Sequence, residues 1–209
     1  MRILFVRHGE TEWNASLRYQ GHADIPLNDR GLAQARAAAR RLATYNVAAI
    51  YTSDLARAAG TAAQIGEVLG LAPRPMPDLR EIHVGQWEGL TPEELYRRYP
   101  DHMREYDRDP ARTVRLGGES YAQLQERALR ALTAIAEANP AADTVVAVSH
   151  GGTIRALLCH VIGLDLKYFG RMWLDNGSFT ELRQASSGWR LLRLNDAAHL
   201  EGTTLASGE

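Results

Sequence analysis

Two histidines of this sequence occupy positions from which an imidazole ring can do chemistry. His8 follows the apolar run 3–6, His150 follows the mostly β-branched run 144–148, and each is itself followed by a glycine. A neutral imidazole can act as a nucleophile or a general base, or can bind a metal ion. Arg7, next to His8, adds a permanent positive charge with paired donors that suit an anion. If the two runs are strands of one sheet, both rings can reach the same crevice.

The elements that would position these histidines alternate along the chain. Three apolar runs, at 3–6, 47–51 and 144–148, predict buried strands, and apolar residues at helical spacing follow the first two. This alternation predicts a three-layer α/β/α sandwich with a mostly parallel central sheet. In such sheets ligands bind outside the carboxyl ends of the strands, which is where both histidines are expected.

Capping residues predict where the helices begin and end. Asn28 or Asp29 is expected to cap the first long helix, and Ser53 and Asp54 to cap a second one that ends at Gly70. The other expected elements are a short helix from Thr91 closed by Pro100, a longer helix from Ser120 that ends before Pro140, a helix over 152–164, and two terminal strands, 179–182 and 189–194.

Length and composition fit one compact domain. The chain has 209 residues, of which 45% are apolar, so we expect a single domain over 1–209, with a cap-like insertion at about 90–116. The formal net charge of −1 provides no general positive field for nucleic acid. A symmetric homodimer is the commonest assembly of a soluble enzyme. We therefore expect no nucleic-acid partner and a possible homodimer.

Cysteine content and the N-terminus bear on the compartment. Cys159 is the only cysteine, so no intramolecular disulfide can form and a reducing environment fits. The apolar run after Met1 is much too short for a signal-peptide core or a membrane span. The sequence therefore predicts a cytoplasmic protein without a membrane partner.

Four motifs occur in one order along the chain. Together they resemble the histidine phosphatase superfamily, also called phosphoglycerate mutase-like, over residue 3 to about residue 182. The tripeptide RHG alone would be frequent by chance, whereas four motifs in order are specific. They are Leu4-Phe5-Val6-Arg7-His8-Gly9-Glu10-Thr11, Ser53-Asp54-Leu55-Ala56-Arg57-Ala58, Glu81 before Gly85-Gln86-Trp87-Glu88-Gly89, and Ser149-His150-Gly151-Gly152.

The resemblance implies a role for each motif residue. His8 would be the nucleophile that accepts a phosphoryl group, and Glu81 the proton donor. The pocket that holds the phosphoryl oxygens would be lined by Arg7, Arg57 and His150. Further phosphate contacts are implied for Asn14, Gln20 and Gly21. Gly151 fits the same site, because small residues at a helix start let backbone N–H groups face an anion.

These residue types suit phosphoryl transfer without a metal ion or another cofactor. A phosphohistidine divides one difficult hydrolysis into two easier steps. The phosphoryl group in flight carries its charge on three oxygens, so catalysis rests on positioning and on cationic donors around them. Guanidinium groups are permanently charged and can replace a metal ion in that role. A small phosphorylated substrate is therefore expected.

Several alternatives stay open. A zinc site made by His8, His150 and a carboxylate would belong to another mechanistic class, although Arg7 would place a cation beside the metal. A phosphate-binding module without turnover is another, and cofactor-dependent phosphoglycerate mutase is the alternative within the family. The residues that follow Glu81 resemble the broad-specificity and α-ribazole phosphatase branch more closely than the mutases. Mutases also carry a lysine in an inserted basic segment, whereas the only lysine of this sequence is Lys167.

Two further groups of residues have uncertain roles in the sequence. Trp13, Trp87 and Trp173 could shape the mouth of a site or pack in the core. Six arginines crowd the expected cap, and a solvated helical face is favoured over a site for a carboxylate or second phosphate of the substrate. They are Arg97, Arg98, Arg104, Arg108, Arg112 and Arg115.

Overall fold

The structure, a computed structural model, describes residues 1–201, so the last residues of the expected domain, 202–209, lie outside the described part. Its centre is a six-stranded sheet in the order β3-β2-β4-β1-β5-β6. The strands are β1 (Arg2–Arg7), β2 (Val47–Thr52), β3 (Arg74–Pro75), β4 (Thr144–Ser149), β5 (Phe179–Ala185) and β6 (Gly188–Asp196).

Strand pairing brings the two histidine motifs together. β1, β2, β3 and β4 are parallel, and β5 and β6 add an antiparallel edge. In the register of β1 with β4, Arg7 pairs with Ser149. His8 and His150 therefore both lie just beyond the carboxyl ends of two neighbouring parallel strands. The prediction of a mostly parallel sheet is confirmed.

Helices cover both faces of the sheet. The α-helices are α1 (Glu12–Ala15), α2 (Asp29–Leu42), α3 (Ala56–Leu69), α4 (Pro92–Arg98), α5 (Pro100–Arg108), α6 (Tyr121–Ala138) and α7 (Gly151–Val161). Alternate residues of β1 enter two cores: Leu4 and Val6 pack with α2 and α3, while Ile3 and Phe5 pack with α6 and α7. The expected three-layer α/β/α sandwich is therefore confirmed.

One predicted helix cap was wrong. The N-cap of α3 is Leu55, which makes no side-chain cap, because Ser53 and Asp54 bond to groups elsewhere in the fold. The short helix from Thr91 ends before Pro100 as predicted, because α4 stops at Arg98. Pro100 also begins a helix that was not predicted, α5, since proline is tolerated in the first turn, where its missing N–H has no partner to lose. The capping boxes at Thr91 and Ser120 are present as expected.

Segment 90–116 forms α4, α5 and the turn back to α6. Five of its six arginines are exposed, as a solvated face predicts, but that prediction was wrong for Arg115, which is 2% exposed. The Arg115 guanidinium lies over the rings of Trp87, Tyr106 and Tyr121, at 5.4, 5.0 and 4.7 Å from their centroids. The aromatic pocket compensates for the loss of water around the charge.

A search of the helices within residues 1–201 finds none that is both long and apolar enough to cross a membrane.

Candidate active site

His8 lies just beyond the last residue of β1, and its side chain is almost completely buried. Its Nδ1 donates a hydrogen bond to the carbonyl oxygen of Gly9 at 2.7 Å, since a carbonyl oxygen can only accept. In the neutral ring the lone pair is then on Nε2. Burial, followed by the charges of Arg57 and Arg7, holds the pKa of His8 well below its usual value. The ring is therefore neutral near pH 7, as a nucleophile must be.

His150 provides a second neutral imidazole beside the first. The centroids of the His8 and His150 rings are 5.0 Å apart. Nε2 of His150 is 2.8 Å from Ser53 Oγ, which accepts the Leu55 N–H and can donate its own proton to the ring. This leaves a proton on Nδ1 of His150, a buried atom without a partner within residues 1–201. Burial, followed by the charge of Arg57, lowers the pKa of His150 as well.

Arg7 and Arg57 bring two guanidinium groups to the imidazoles. Arg57 is fully buried and donates to the carbonyl oxygens of Ala23 and Gly21 at 2.9 and 2.8 Å, while Arg7 donates to the carbonyl oxygen of Leu174. Burial lowers the pKa of each arginine to about 10, so both remain charged near pH 7. In the described part of the chain neither forms an ion pair, and the Nε of each is buried without a partner. Two such cations favour an anion between them.

Glu81 reaches the start of α7. Its Oε2 accepts the backbone N–H of Gly152 at 3.0 Å, and its Oε1 accepts the N–H of Ile82 at 2.9 Å. A Cβ on Gly152 would lie 2.3 Å from Oε1, so only glycine allows the carboxylate this close. The rival acids have other partners: Glu10 pairs with Arg30, and Glu88 accepts the His22 N–H. This arrangement favours Glu81 as the proton donor.

The sequence analysis missed the residues that hold Glu81 in place. The backbone oxygen of Glu81 accepts hydrogen bonds from His22 Nε2 at 2.8 Å and from Arg127 Nη2 at 2.7 Å. Arg127 also binds both carboxylate oxygens of Glu119, and Glu119 in turn accepts the His83 N–H. These contacts join distant segments, so no local motif marks them.

Asn14 is hydrogen-bonded to the loop that follows β1 and to Asn176. Its Oδ1 accepts the Thr11 N–H at 3.2 Å and lies 3.3 Å from Asn176 Nδ2, which also donates to the His8 carbonyl oxygen at 3.0 Å. Asn176 is a second residue that the motifs did not indicate. It ties the loop after β1 to the segment before β5.

The other expected contacts act in different ways. Gln20 is buried, and its Oε1 has no partner within residues 1–201. Gly21 contributes its carbonyl oxygen, which holds the Arg57 guanidinium, and adopts a positive φ of 54°. Gly151 is the first residue of α7, beside Arg7. Gly21 therefore positions Arg57, a candidate for binding phosphate.

Comparison with known proteins agrees with this arrangement. The family model described as "Histidine phosphatase superfamily (branch 1)" matches residues 3–197. The chain belongs to this superfamily. It is 34% identical over 200 residues to phosphoserine phosphatase 1 of Hydrogenobacter thermophilus, a match that covers 96% of this chain and 94% of that protein. The expected enzyme class, a histidine phosphatase, is thereby confirmed.

Two further relatives of this histidine phosphatase differ in their named activities. A Yersinia enterocolitica protein named "Probable phosphoglycerate mutase GpmB" is 36% identical over 212 residues, covering 96% of this chain and 95% of that one. A mycobacterial glucosyl-3-phosphoglycerate phosphatase, solved in complex with VO3, superposes with a TM-score of 0.83 at 35% identity, covering 93% and 98% of the two chains.

A cleft of about 490 Å³, here called the side cleft, opens next to the candidate site of this histidine phosphatase. It is lined by Arg7, Trp13, Asn14, Leu17, Arg18, Tyr19, Pro92, Arg155, Trp173 and Asn176. Trp13 and Trp173 therefore shape the mouth, whereas Trp87 is fully buried in the core. Arg155, which the sequence analysis missed, lies one turn after Gly151 on the same helix face. None of the cap arginines lines this cleft.

The zinc alternative finds no support in the positions of the possible ligands. Within residues 1–201, no group of three or more histidine, cysteine, aspartate or glutamate side chains could hold a metal ion. Arg7 and Arg57, which remain charged near pH 7, would also place two positive charges beside the metal ion.

Proposed function

We propose that this histidine phosphatase hydrolyses phosphomonoesters of small metabolites through a phosphohistidine on His8, without a metal ion. The observation that carries the proposal is the His8 ring, neutral and with a free Nε2 lone pair, beside Arg7 and Arg57, which form no ion pair among the described residues. A phosphoryl group supplies the missing negative charge. The nucleophile and the charge stabilisation are then both provided by the protein chain.

In the first step, Nε2 of His8 attacks phosphorus and the bond to the ester oxygen breaks. Arg7, Arg57 and the Nδ1–H of His150 bind the phosphoryl oxygens, whose charge must be stabilised throughout the transfer. Glu81 donates its proton to the leaving oxygen, so the product leaves as a neutral alcohol.

In the second step, water replaces the alcohol. Glu81, now ionised, accepts a proton from the water while the water oxygen attacks phosphorus. The bond between phosphorus and Nε2 breaks, the lone pair returns to His8, and inorganic phosphate leaves. One carboxylate thus serves as acid and then as base, and the backbone N–H of Gly152 holds it in position.

The test is turnover in the presence of a chelator, combined with trapping of the intermediate. We expect the wild-type protein to hydrolyse p-nitrophenyl phosphate with excess chelator and to carry an acid-labile, base-stable phosphoryl label after a rapid quench. His8→Ala should lose both turnover and label. Substantial turnover by His8→Ala, or loss of wild-type turnover with chelator, would contradict the proposal.

Phosphoglycerate mutase is the second candidate, and the named Yersinia relative favours it. A mutase must shield its phosphohistidine from water and grip a bisphosphorylated intermediate while it reorients. Five cap arginines are exposed and lie outside the side cleft, which supports hydrolysis instead. Both reactions should be measured on one preparation primed with bisphosphoglycerate. An interconversion rate well above the rate of phosphate release would replace hydrolase by mutase and leave the residue roles unchanged.

A further inference from the structure

Arg155 is a partly buried cation in the side cleft, without a carboxylate partner among residues 1–201. Its Nε donates to the carbonyl oxygen of Gly151 at 3.0 Å, and its guanidinium carbon lies 6.0 Å from the Phe169 ring. Within the described residues it takes part in no ion pair, although 13 such pairs are formed there by other side chains. The Nε bond fixes the guanidinium at the cleft wall, and its outer nitrogens are left for another partner.

Of the other two arginines of the cleft, Arg7 and Arg18, the second differs in this respect. Arg18 lies 3.0 Å from a carboxylate oxygen of Glu94 and also donates to the carbonyl oxygen of Gly89. Its charge is neutralised within the protein. Besides Arg7, Arg155 is therefore the arginine of the cleft whose charge is not paired with a carboxylate of residues 1–201. Arg18, which is paired, provides a natural comparison.

Arg155 also lies beside the phosphate-binding arginine. The point that a Cβ of Gly151 would occupy is 3.4 Å from Arg7 Nε and 3.6 Å from Arg155 Nη2. The charge of Arg155 contributes to lowering the pKa of Arg7, second only to burial. Two like charges this close repel each other, and an anion that contacts both removes the repulsion. A group bound by Arg155 would thus be separated from the phosphate by only a few bonds.

We propose that Arg155 recognises a second anionic group of the substrate, a carboxylate or a second phosphate, a few atoms from the phosphoester bond. The inference rests on the proposed function and adds the class of substrate. The planar guanidinium fork matches the paired oxygens of either group. Beyond that group, the apolar side chains of Leu17 and Trp173, each 74% exposed, border the rest of the leaving group.

The test compares pairs of substrates that differ only in the second charge. 3-Phosphoglycerate and glycerol 1-phosphate differ in a carboxylate against a hydroxymethyl group, and propane-1,3-diol bisphosphate and its monophosphate differ in the second phosphate. The quantity measured is the ratio of kcat/KM within each pair. In one of the two pairs, we expect the wild-type protein to prefer the substrate that carries the second anionic group. The pair that shows this preference identifies that group as a carboxylate or as a second phosphate.

Arg155→Ala should reduce that preference by about 10- to 100-fold, the range expected when a charge-assisted hydrogen-bonded pair is lost. Arg155→Lys should restore part of it, because a point charge remains and the fork is lost. Arg18→Gln is the matched control, and its preference should stay within about 3-fold of wild type, as expected for an arginine already neutralised by a carboxylate. Thermal unfolding of each variant reports whether the fold is intact.

Three results would overturn the inference: no preference in either pair, an equal loss for both members of a pair in Arg155→Ala, or an equal loss of preference in Arg18→Gln. Hydrolysis of p-nitrophenyl phosphate by the wild-type protein separates this failure from that of the proposed function. A protein that hydrolyses the aryl ester but shows no preference keeps the proposed function and loses the subsite.

Discussion

The backbone N–H of Gly152 donates to Glu81 Oε2 across 3.0 Å, and a methyl group on Gly152 would lie 2.3 Å from Oε1 of the same carboxylate. Gly152→Ala must therefore displace Glu81, although the backbone at Gly152 needs no unusual conformation. We expect kcat for alkyl phosphates to fall by about 10²- to 10⁴-fold, the usual contribution of a general acid. With p-nitrophenyl phosphate, whose leaving group needs no proton, the loss should be much smaller.

Gly60→Ala is the control for this substitution. Gly60 also lies within a helix, α3, but a Cβ there would meet only the Leu27 side chain at an ordinary 3.4 Å. We expect no loss of kcat and a small gain in stability, since alanine is the better helix former. Equal losses on both substrate types in Gly152→Ala would mean that another carboxylate donates the proton.

Ser53→Ala tests how His150 is oriented. Removal of the Ser53 hydroxyl leaves Nε2 of His150 buried without its partner and no longer fixes the proton on Nδ1. We expect inorganic vanadate, as a competitive inhibitor, to bind about tenfold more weakly, in line with the loss of one hydrogen bond. Ser178→Ala is the matched control, because Ser178 is equally buried and its Oγ has no partner in residues 1–201. Unchanged vanadate inhibition in Ser53→Ala would contradict this role.

The two neutral imidazoles make stability depend on pH. The pKa values of His8 and His150 lie well below 6.5 in the folded protein, mainly because of burial. Below pH 6.5 the unfolded chain therefore binds protons that the folded chain does not, so the free energy of unfolding decreases as the pH falls. Above pH 6.5 the contribution of the two histidines to this free energy is complete. Each residue contributes a slope of at most about 1.4 kcal/mol per pH unit.

Urea unfolding in phosphate-free buffer measures this slope between about pH 7 and about pH 5, where most carboxylates stay ionised. His8→Gln cannot titrate, so its stability should decrease less steeply than that of the wild-type protein. Identical slopes in wild type and His8→Gln would show that the folded protein binds a proton at His8 as readily as the unfolded chain, which would contradict the neutral ring.

The sequence predicted the site residues at the ends of strands better than the residues that surround them. Buried strands have continuous apolar runs, so the ends of β1 and β4, and with them Arg7, His8 and His150, could be placed from local pattern alone. The helical spacing of four residues from Gly151 also places Arg155 on the same face of α7 from the sequence alone.

Other contacts have no local signature. Arg127 binds the carbonyl oxygens of Asp78, Arg80 and Glu81 from the middle of α6, and such pairing depends on how the elements pack. Ser53 was expected to cap a helix, a common role of serine, but tertiary contact with His150 replaces that local bond. Buried polar networks of this kind become visible only in three dimensions.

Arg115 gives the last prediction, on the stability of segment 90–116. Its guanidinium is enclosed by three aromatic rings, and Nη1 donates to the carbonyl oxygen of Thr113 at 3.1 Å, with no carboxylate partner in residues 1–201. Arg115→Ala removes both the buried volume and the cation–π contacts. We expect it to lower the free energy of unfolding by about 3 to 5 kcal/mol, as for other large buried side chains replaced by alanine.

Arg115→Met separates volume from charge, because methionine fills most of the space without a cation. If packing dominates, this variant should recover more than half of the loss, and if the cation dominates it should resemble Arg115→Ala. Arg112→Ala is the control: Arg112 is exposed, and its one ion pair within residues 1–201 is with Asp109, so its removal should change stability by less than about 0.5 kcal/mol. Urea unfolding compares all three variants. A fully stable Arg115→Ala protein with altered substrate preference would instead make Arg115 a ligand of the substrate, as the cap arginines of a mutase would be.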